Sequence, residues 1–152
     1  MNYNDNMILV LDNLRSSYNV GSILRTCDAL GVEEVYFCGI TPGPTDKKVQ
    51  KTALGAEKNI KPTETSSTYD TVTKLRTDGY QIIGLELSDK AVDLDKIHPS
   101  AKCALIVGNE VSGISEEIME LCDSIAQIPM KGIKESLNVS VAFGIAAYAL
   151  TR

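Results

Sequence analysis

The stretch MILVLDNLRSSYNVGSILRTCDALG, Met7 to Gly31, decides the fold class. It opens with an unbroken apolar run, Met7–Leu11, the pattern of a parallel strand covered on both faces. A polar turn follows. Then Val20, Ile23, Leu24, Cys27 and Leu30 recur at helical spacing. The spacing predicts a helix over about Val20–Leu30, with Asn19 as its N-cap and Gly31 as its stop. Strand, polar loop and helix in that order are half of a β–α–β unit.

The same alternation continues outward. Strands are expected at Val32–Cys38 (VEEVYFC), Tyr80–Leu87 (YQIIGLEL), Cys103–Val107 (CALIV) and Ser124–Pro129 (SIAQIP). Helices are expected over Val49–Lys58, Thr68–Thr77 and Leu137–Leu150, and one after Ser115, with Glu116 and Glu117 in its first turn, where the dipole favours acids. Ile40–Asp46 (ITPGPTD) reads as a surface loop. The expected fold is α/β: a mainly parallel sheet with helices on both faces, in one domain spanning residues 1–152.

Composition bounds the function. The chain has 152 residues, 43% apolar and 23% charged, which excludes wholesale disorder. Fifteen basic residues against twenty acidic ones give a net charge of -5, so strong basicity is excluded as a whole-chain property, though a local basic patch is not. Cys27, Cys38, Cys103 and Cys122 form no CxxC pair, and the single His98 is remote from them, so no metal is expected. The N-terminus has no secretory pattern, and the apolar run Val139–Leu150 is too short to span a bilayer. A cytoplasmic protein with reduced thiols and no membrane partner is expected.

The last helix is apolar almost all round, from Leu137 to Leu150. Such a helix is covered on more than one side, either deep in its own chain or against a second subunit.

Three loops join a strand to a helix. The first, Asp12–Ser22, carries Asn13, Arg15, Ser16 and Asn19, with Arg25 one turn beyond. Helix-terminal amides with guanidinium groups suit a phosphate; the plain alternative is turn residues and solvated arginines. The second, Val107–Ile114, contains Gly108, Asn109, Glu110 and Gly113, and Glu110 either faces a cationic ligand or is a solvated loop acid. The third, Ile128–Asn138, offers Ser136 and Asn138 as caps of the last helix. Each loop alone is a weak signal, but three at strand ends of one domain point to a site.

The segments NLRSSYNVGSILRTCDALG, IVGNEVSGIS and IPMKGIKESLNVSVAFGIAAYAL resemble, in order and separation, the three motifs of the SpoU/TrmH branch of the SPOUT RNA methyltransferases. KTALGAE, Lys51 to Glu57, is similar to that branch as well. The resemblance implies methylation of an RNA ribose 2′-hydroxyl, with S-adenosylmethionine as donor and no metal. It also implies a trefoil knot near the C-terminus and a homodimer with active sites at the interface.

By resemblance Arg25 fills the catalytic arginine's place, Asn19 positions RNA, and Ser136 and Asn138 lie beside ribose and donor. Gly108, Asn109, Glu110, Ile128, Met130 and Leu137 would hold the donor. Arginine's very high pKa favours phosphate clamping over base chemistry. Arg15 and the lysine-rich stretch bearing Lys47, Lys48, Lys51, Lys58 and Lys61, with only Asp46 and Glu57 as acids, form the candidate RNA face; the alternative is a solvated surface. The chain begins almost at its first strand, so a bare catalytic domain is expected, acting on tRNA, with ribosomal RNA or a non-catalytic RNA- or nucleotide-binding dimer as alternatives.

Overall fold

The computed structural model describes residues 6–152. Its centre is a seven-stranded sheet in which every pairing is parallel. The strands are β1 (Met7–Asp12), β2 (Glu34–Cys38), β3 (Lys61–Thr65), β4 (Gln81–Leu85), β5 (Val92–Asp93), β6 (Cys103–Gly108) and β7 (Ser124–Gln127), in the order β3-β2-β1-β6-β4-β7-β5. The helices are α1 (Ser17–Leu30), α2 (Lys47–Ala53), α3 (Thr68–Thr77), α4 (Glu116–Met119) and α5 (Val139–Leu150).

The continuous apolar strands are buried on both faces because alternate side chains enter separate cores. Leu9, Leu11, Leu105 and Val107 pack with Val20, Leu24, Phe143 and Leu150 on one side. Ile8, Val10 and Ile106 pack with Val72, Leu75 and Ile118 on the other. The expected α/β architecture, with helices on both faces, is the observed one.

Local chemistry moves several boundaries. Asn19 is not the cap of α1. Ser16 has the extended backbone of a cap, and its Oγ accepts from the Asn19 amide at 3.2 Å, so the helix starts three residues earlier. Asp46 likewise starts α2 at Lys47 by accepting from the Lys48 and Val49 amides. That helix stops at Ala53 rather than Lys58, because Leu54 and Gly55 both turn into the left-handed region before a short 3₁₀ turn at Ala56–Asn59. Asn138 caps α5, so it begins at Val139 rather than Leu137.

Two strands carry no apolar run. β3 is the polar sequence KPTET, and it exists as an edge pairing with β2, the setting in which Pro62 is tolerated. β5 is a two-residue pairing with β7. Conversely, β4 ends at Leu85 and β7 at Gln127, which frees Glu86, Leu87 and Ile128 for the surface beyond them.

Within its own chain the last helix is covered on one side only, so it does not sit deep in the fold. Phe143, Ala146, Ala147 and Leu150 are buried, but Val141, Ile145 and Tyr148 on the outer face stay 50%, 43% and 52% exposed. One side is covered by the fold, and an apolar stripe is left open.

Candidate functional site

Because all strands run the same way, the ends of β1, β6, β4 and β7 share one edge of the sheet. The register sets Asp12 opposite Gly108 and Leu85 opposite both Val107 and Ala126. The loops leaving these strands enclose a cleft of about 400 Å³. This is where open parallel sheets bind ligands, and the size is that of a small-molecule site.

Gly108, Asn109, Glu110, Ile128, Met130 and Leu137 all line the cleft, together with Asn19, Ser136 and Asn138. Apolar wall comes from Leu85, Val107, Ile128, Val139 and Ala142. Sequence reading missed Leu85, Glu86, Leu87 and Gln127, which also line it. The available signal was an acid, Glu86, at the end of an apolar run; it was absorbed into an over-long strand.

Hydrogen bonds join the three loops. The Asn138 Nδ2 donates to Asn19 Oδ1 at 3.2 Å, and Asn19 Nδ2 donates to Glu110 Oε2 at 3.3 Å. Glu110 also accepts from the Arg15 amide at 2.9 Å and the Ser16 amide at 2.8 Å. Asn109 Nδ2 donates to the Asn13 carbonyl at 2.7 Å, while its Oδ1 accepts from the Val111 and Ser112 amides. Glu110 is therefore no solvated loop acid. Partial burial opposes its charge, but the amides of Arg15, its own residue and Ser16, with the Asn19 side chain, outweigh that and hold the carboxyl below the ordinary glutamate range.

The basic residues lie elsewhere. Arg25 is exposed on α1, away from Val20, Ile23, Leu24 and Cys27, and makes no ion pair or side-chain hydrogen bond among the described residues. Arg15, Lys47, Lys48 and Lys51 are exposed too, and none of them lines the cleft. The lysines sit beside the first loop, because Thr52 Oγ1 donates to the Tyr18 carbonyl at 3.0 Å and seats α2 against the start of α1. Lys61 stands apart on β3, paired with Glu33 at 3.5 Å.

The cleft holds no activated thiol. None of the four cysteines is in a disulfide; burial pushes the Cys27 thiol up, and burial with Asp123 nearby pushes Cys122 up to about 12. No group of three metal-ligating side chains occurs among the described residues, and no helix there is long and apolar enough to cross a membrane.

Comparison with known proteins gives one answer. The SpoU rRNA methylase family matches residues 6–148. A tRNA (guanosine(18)-2′-O)-methyltransferase of Aquifex aeolicus is 34% identical over 146 residues, covering 96% of this chain and 69% of that protein. The enzyme of the same description from Escherichia coli K12 is 33% identical, covering 96% and 63%. The solved AdoMet-bound rRNA methyltransferase of Sinorhizobium meliloti superposes with a TM-score of 0.89 at 29% identity, covering 95% of this chain and 55% of that one. The chain thus spans between about half and 69% of these relatives.

Proposed function

The chain belongs to the SpoU rRNA methylase family, and from that premise and the cleft we propose that it is an S-adenosylmethionine-dependent RNA 2′-O-ribose methyltransferase acting on tRNA. The observation that carries this is the hydrogen-bonded chain Asn138–Asn19–Glu110, which ties all three loops around one cleft. The substrate class is that of the Aquifex and E. coli relatives.

The cleft suits the donor: an apolar interior for an adenine and polar loop groups for a ribose and amino acid. Ile128, Met130 and Leu137 wall the base, and the Gly108, Asn109 and Glu110 segment supplies backbone partners. The bound donor supplies a sulfonium methyl group for in-line displacement by the ribose 2′-oxygen. Catalysis is then mainly alignment. Asn19, Ser136 and Asn138 orient the ribose at the cleft mouth. Arg25, with no partner among the described residues, grips the phosphate of the target nucleotide and stabilises the hydroxyl as it loses its proton. Arg15, Lys47, Lys48 and Lys51 hold the flanking backbone.

The open stripe of Val141, Ile145 and Tyr148 supports a homodimer, which brings the surfaces outside each cleft into one substrate-binding face. Membership of this family supports the trefoil knot near the C-terminus. The single sheet and its two cores support one catalytic domain, working in the cytoplasm where tRNA is modified.

Donor calorimetry, followed by mass spectrometry of ribose methylation in tRNA and ribosomal RNA incubated with the protein, tests this reading. Donor binding with a new 2′-O-methylnucleotide in tRNA is expected. Methylation of ribosomal RNA alone would move the substrate, and donor binding without turnover on either RNA would make the chain a binding dimer.

A further inference from the structure

Glu86 is the acid in the cleft that the family motifs do not contain. It follows directly on β4, and the structure holds it from both sides. Oε1 accepts from the Leu87 amide at 3.0 Å and Oε2 from the Ile114 amide at 2.9 Å. The loop at Gly113 is shaped around it: that residue has φ +69°, and a Cβ there would come within 2.0 Å of Glu86 Oε2. The carboxylate is therefore fixed over the cleft rather than free to swing into solvent. Each oxygen keeps an unused acceptor position.

The electrostatics are one-sided. Glu86 and Glu110 both line the cleft, and no Lys, Arg or His does. Neither acid is in an ion pair; the salt bridges of the described residues are Lys61–Glu33 and Lys90–Glu116, both outside the cleft. Glu110 is spent on the Arg15 and Ser16 amides and Asn19, whereas Glu86 meets two amides and otherwise the cavity. A buried-edge acid without a counter-charge favours a ligand that brings one.

We propose that Glu86 is a specificity residue that reads the charge of the donor's sulfur, retaining the cationic sulfonium and releasing the neutral thioether. This rests on the methyltransferase reading above. Donor and product carry the same adenosine, ammonium and carboxylate and differ by one positive charge at sulfur. A cleft with fixed acids and no cation binds the former more tightly by an electrostatic margin that salt reduces. The outcome is favourable for turnover, since loss of the methyl group removes the charge that held the ligand.

Calorimetry on the full chain tests it with S-adenosylmethionine, S-adenosylhomocysteine, the amine analogue sinefungin and neutral methylthioadenosine. Glu86→Gln is expected to weaken the two ligands cationic at that position by about tenfold, the scale of one partly screened charge pair, and to leave the other two unchanged. A parallel loss for all four ligands would show that Glu86 only shapes the cavity, and no change for any would also overturn the proposal. Wild-type protein gives an independent reading if the variant folds poorly. Between low and high salt, affinity for S-adenosylmethionine is expected to fall while that for S-adenosylhomocysteine holds, and equal slopes would overturn the charge reading. Failure of the wild type to bind either nucleoside would instead remove the methyltransferase reading, and this one with it.

Discussion

The two flanks of the sheet expose differently charged patches. On the β2–β3 flank, α2 presents Lys47, Lys48 and Lys51 to solvent, with no ion pair to any of them. On the β4–β7 flank, Glu86 and Glu110 line a cleft without a cation, and Glu116, Glu117 and Glu120 are exposed beyond it. A chain of net charge -5 can therefore meet an anionic polymer and a cationic small molecule at once, because the total says little about how charge is distributed. The flanks also differ in construction. The cleft is framed by loops bonded to one another, whereas the lysine face rests on one short helix. On the proposed reading, the first holds a ligand in one pose and the second tolerates a backbone sliding over it.

Arg25 lies between the two flanks and gives the largest expected effect. Arg25→Ala should lower single-turnover methylation by about 10²–10⁴-fold, the range for a positioning or proton-handling group. Donor binding should stay as in wild type, since Arg25 does not line the cleft. Arg25→Lys should rescue little, because an ammonium lacks the planar two-point grip on phosphate. Near wild-type methylation, or joint loss of donor binding, would place Arg25 on the wrong side of the division.

A third surface belongs to neither charge. Val141 and Ile145 are half exposed on an otherwise apolar helix. Ile145→Asp should weaken the proposed dimer by about 10²–10³-fold through an unpaired charge at its interface. Sedimentation velocity reads this directly, and a wild-type protein that sediments as an active monomer would remove the dimer altogether.

The two flanks were unequally legible in the sequence. The cleft's strands are runs such as MILVL and CALIV, whose burial on both faces leaves a continuous apolar signature. Its loops carry residues whose type is constrained by hydrogen bonding, so motif resemblance found Asn19, Glu110 and Asn138. Glu86 escaped because it falls at the end of an apolar run, where only strand termination at Leu85 reveals it. Edge strand β3 was invisible because KPTET acquires its conformation from β2, a neighbour distant in sequence. Strand order was invisible for the same reason. The start of α1 is ambiguous in sequence because Ser16 and Asn19 are both good cap types; in the fold Ser16 takes the role, its Oγ accepting from the Asn19 amide while Glu110 holds its own amide.

The lysine flank is the more easily broken of the two in binding, and the less in stability. Changing Lys47, Lys48 and Lys51 together to Glu should weaken RNA binding by about ten- to a hundredfold at moderate salt. Each lost phosphate contact should flatten the log–log salt slope by about 0.7–0.9. Donor affinity should not move. Unchanged RNA affinity and slope, read by filter binding across a salt series, would make α2 a solvated surface and leave Arg15 and Arg25 to carry the RNA.

The smallest effect is expected from Glu110, and it sharpens the comparison from the cleft side. Its folded-state pKa lies below the ordinary glutamate value, since hydrogen bonds from Arg15, Ser16 and Asn19 more than offset its partial burial. A group depressed in this way stabilises the fold above its unfolded pKa, and that contribution is lost as pH falls through the glutamate range toward the folded value. Glu110→Gln keeps the shape but removes the charge that strengthens these bonds, each worth about 1 kcal/mol net. The variant should melt about 2–4 °C below wild type at neutral pH. The gap should close in acid, where wild-type Glu110 is itself protonated. Melting curves from pH 7 down through the glutamate range measure both parts. A constant gap at every pH would assign the loss to shape rather than charge, and no gap at all would return Glu110 to the status of a solvated loop acid, leaving the three loops joined by Asn19 and Asn109 alone.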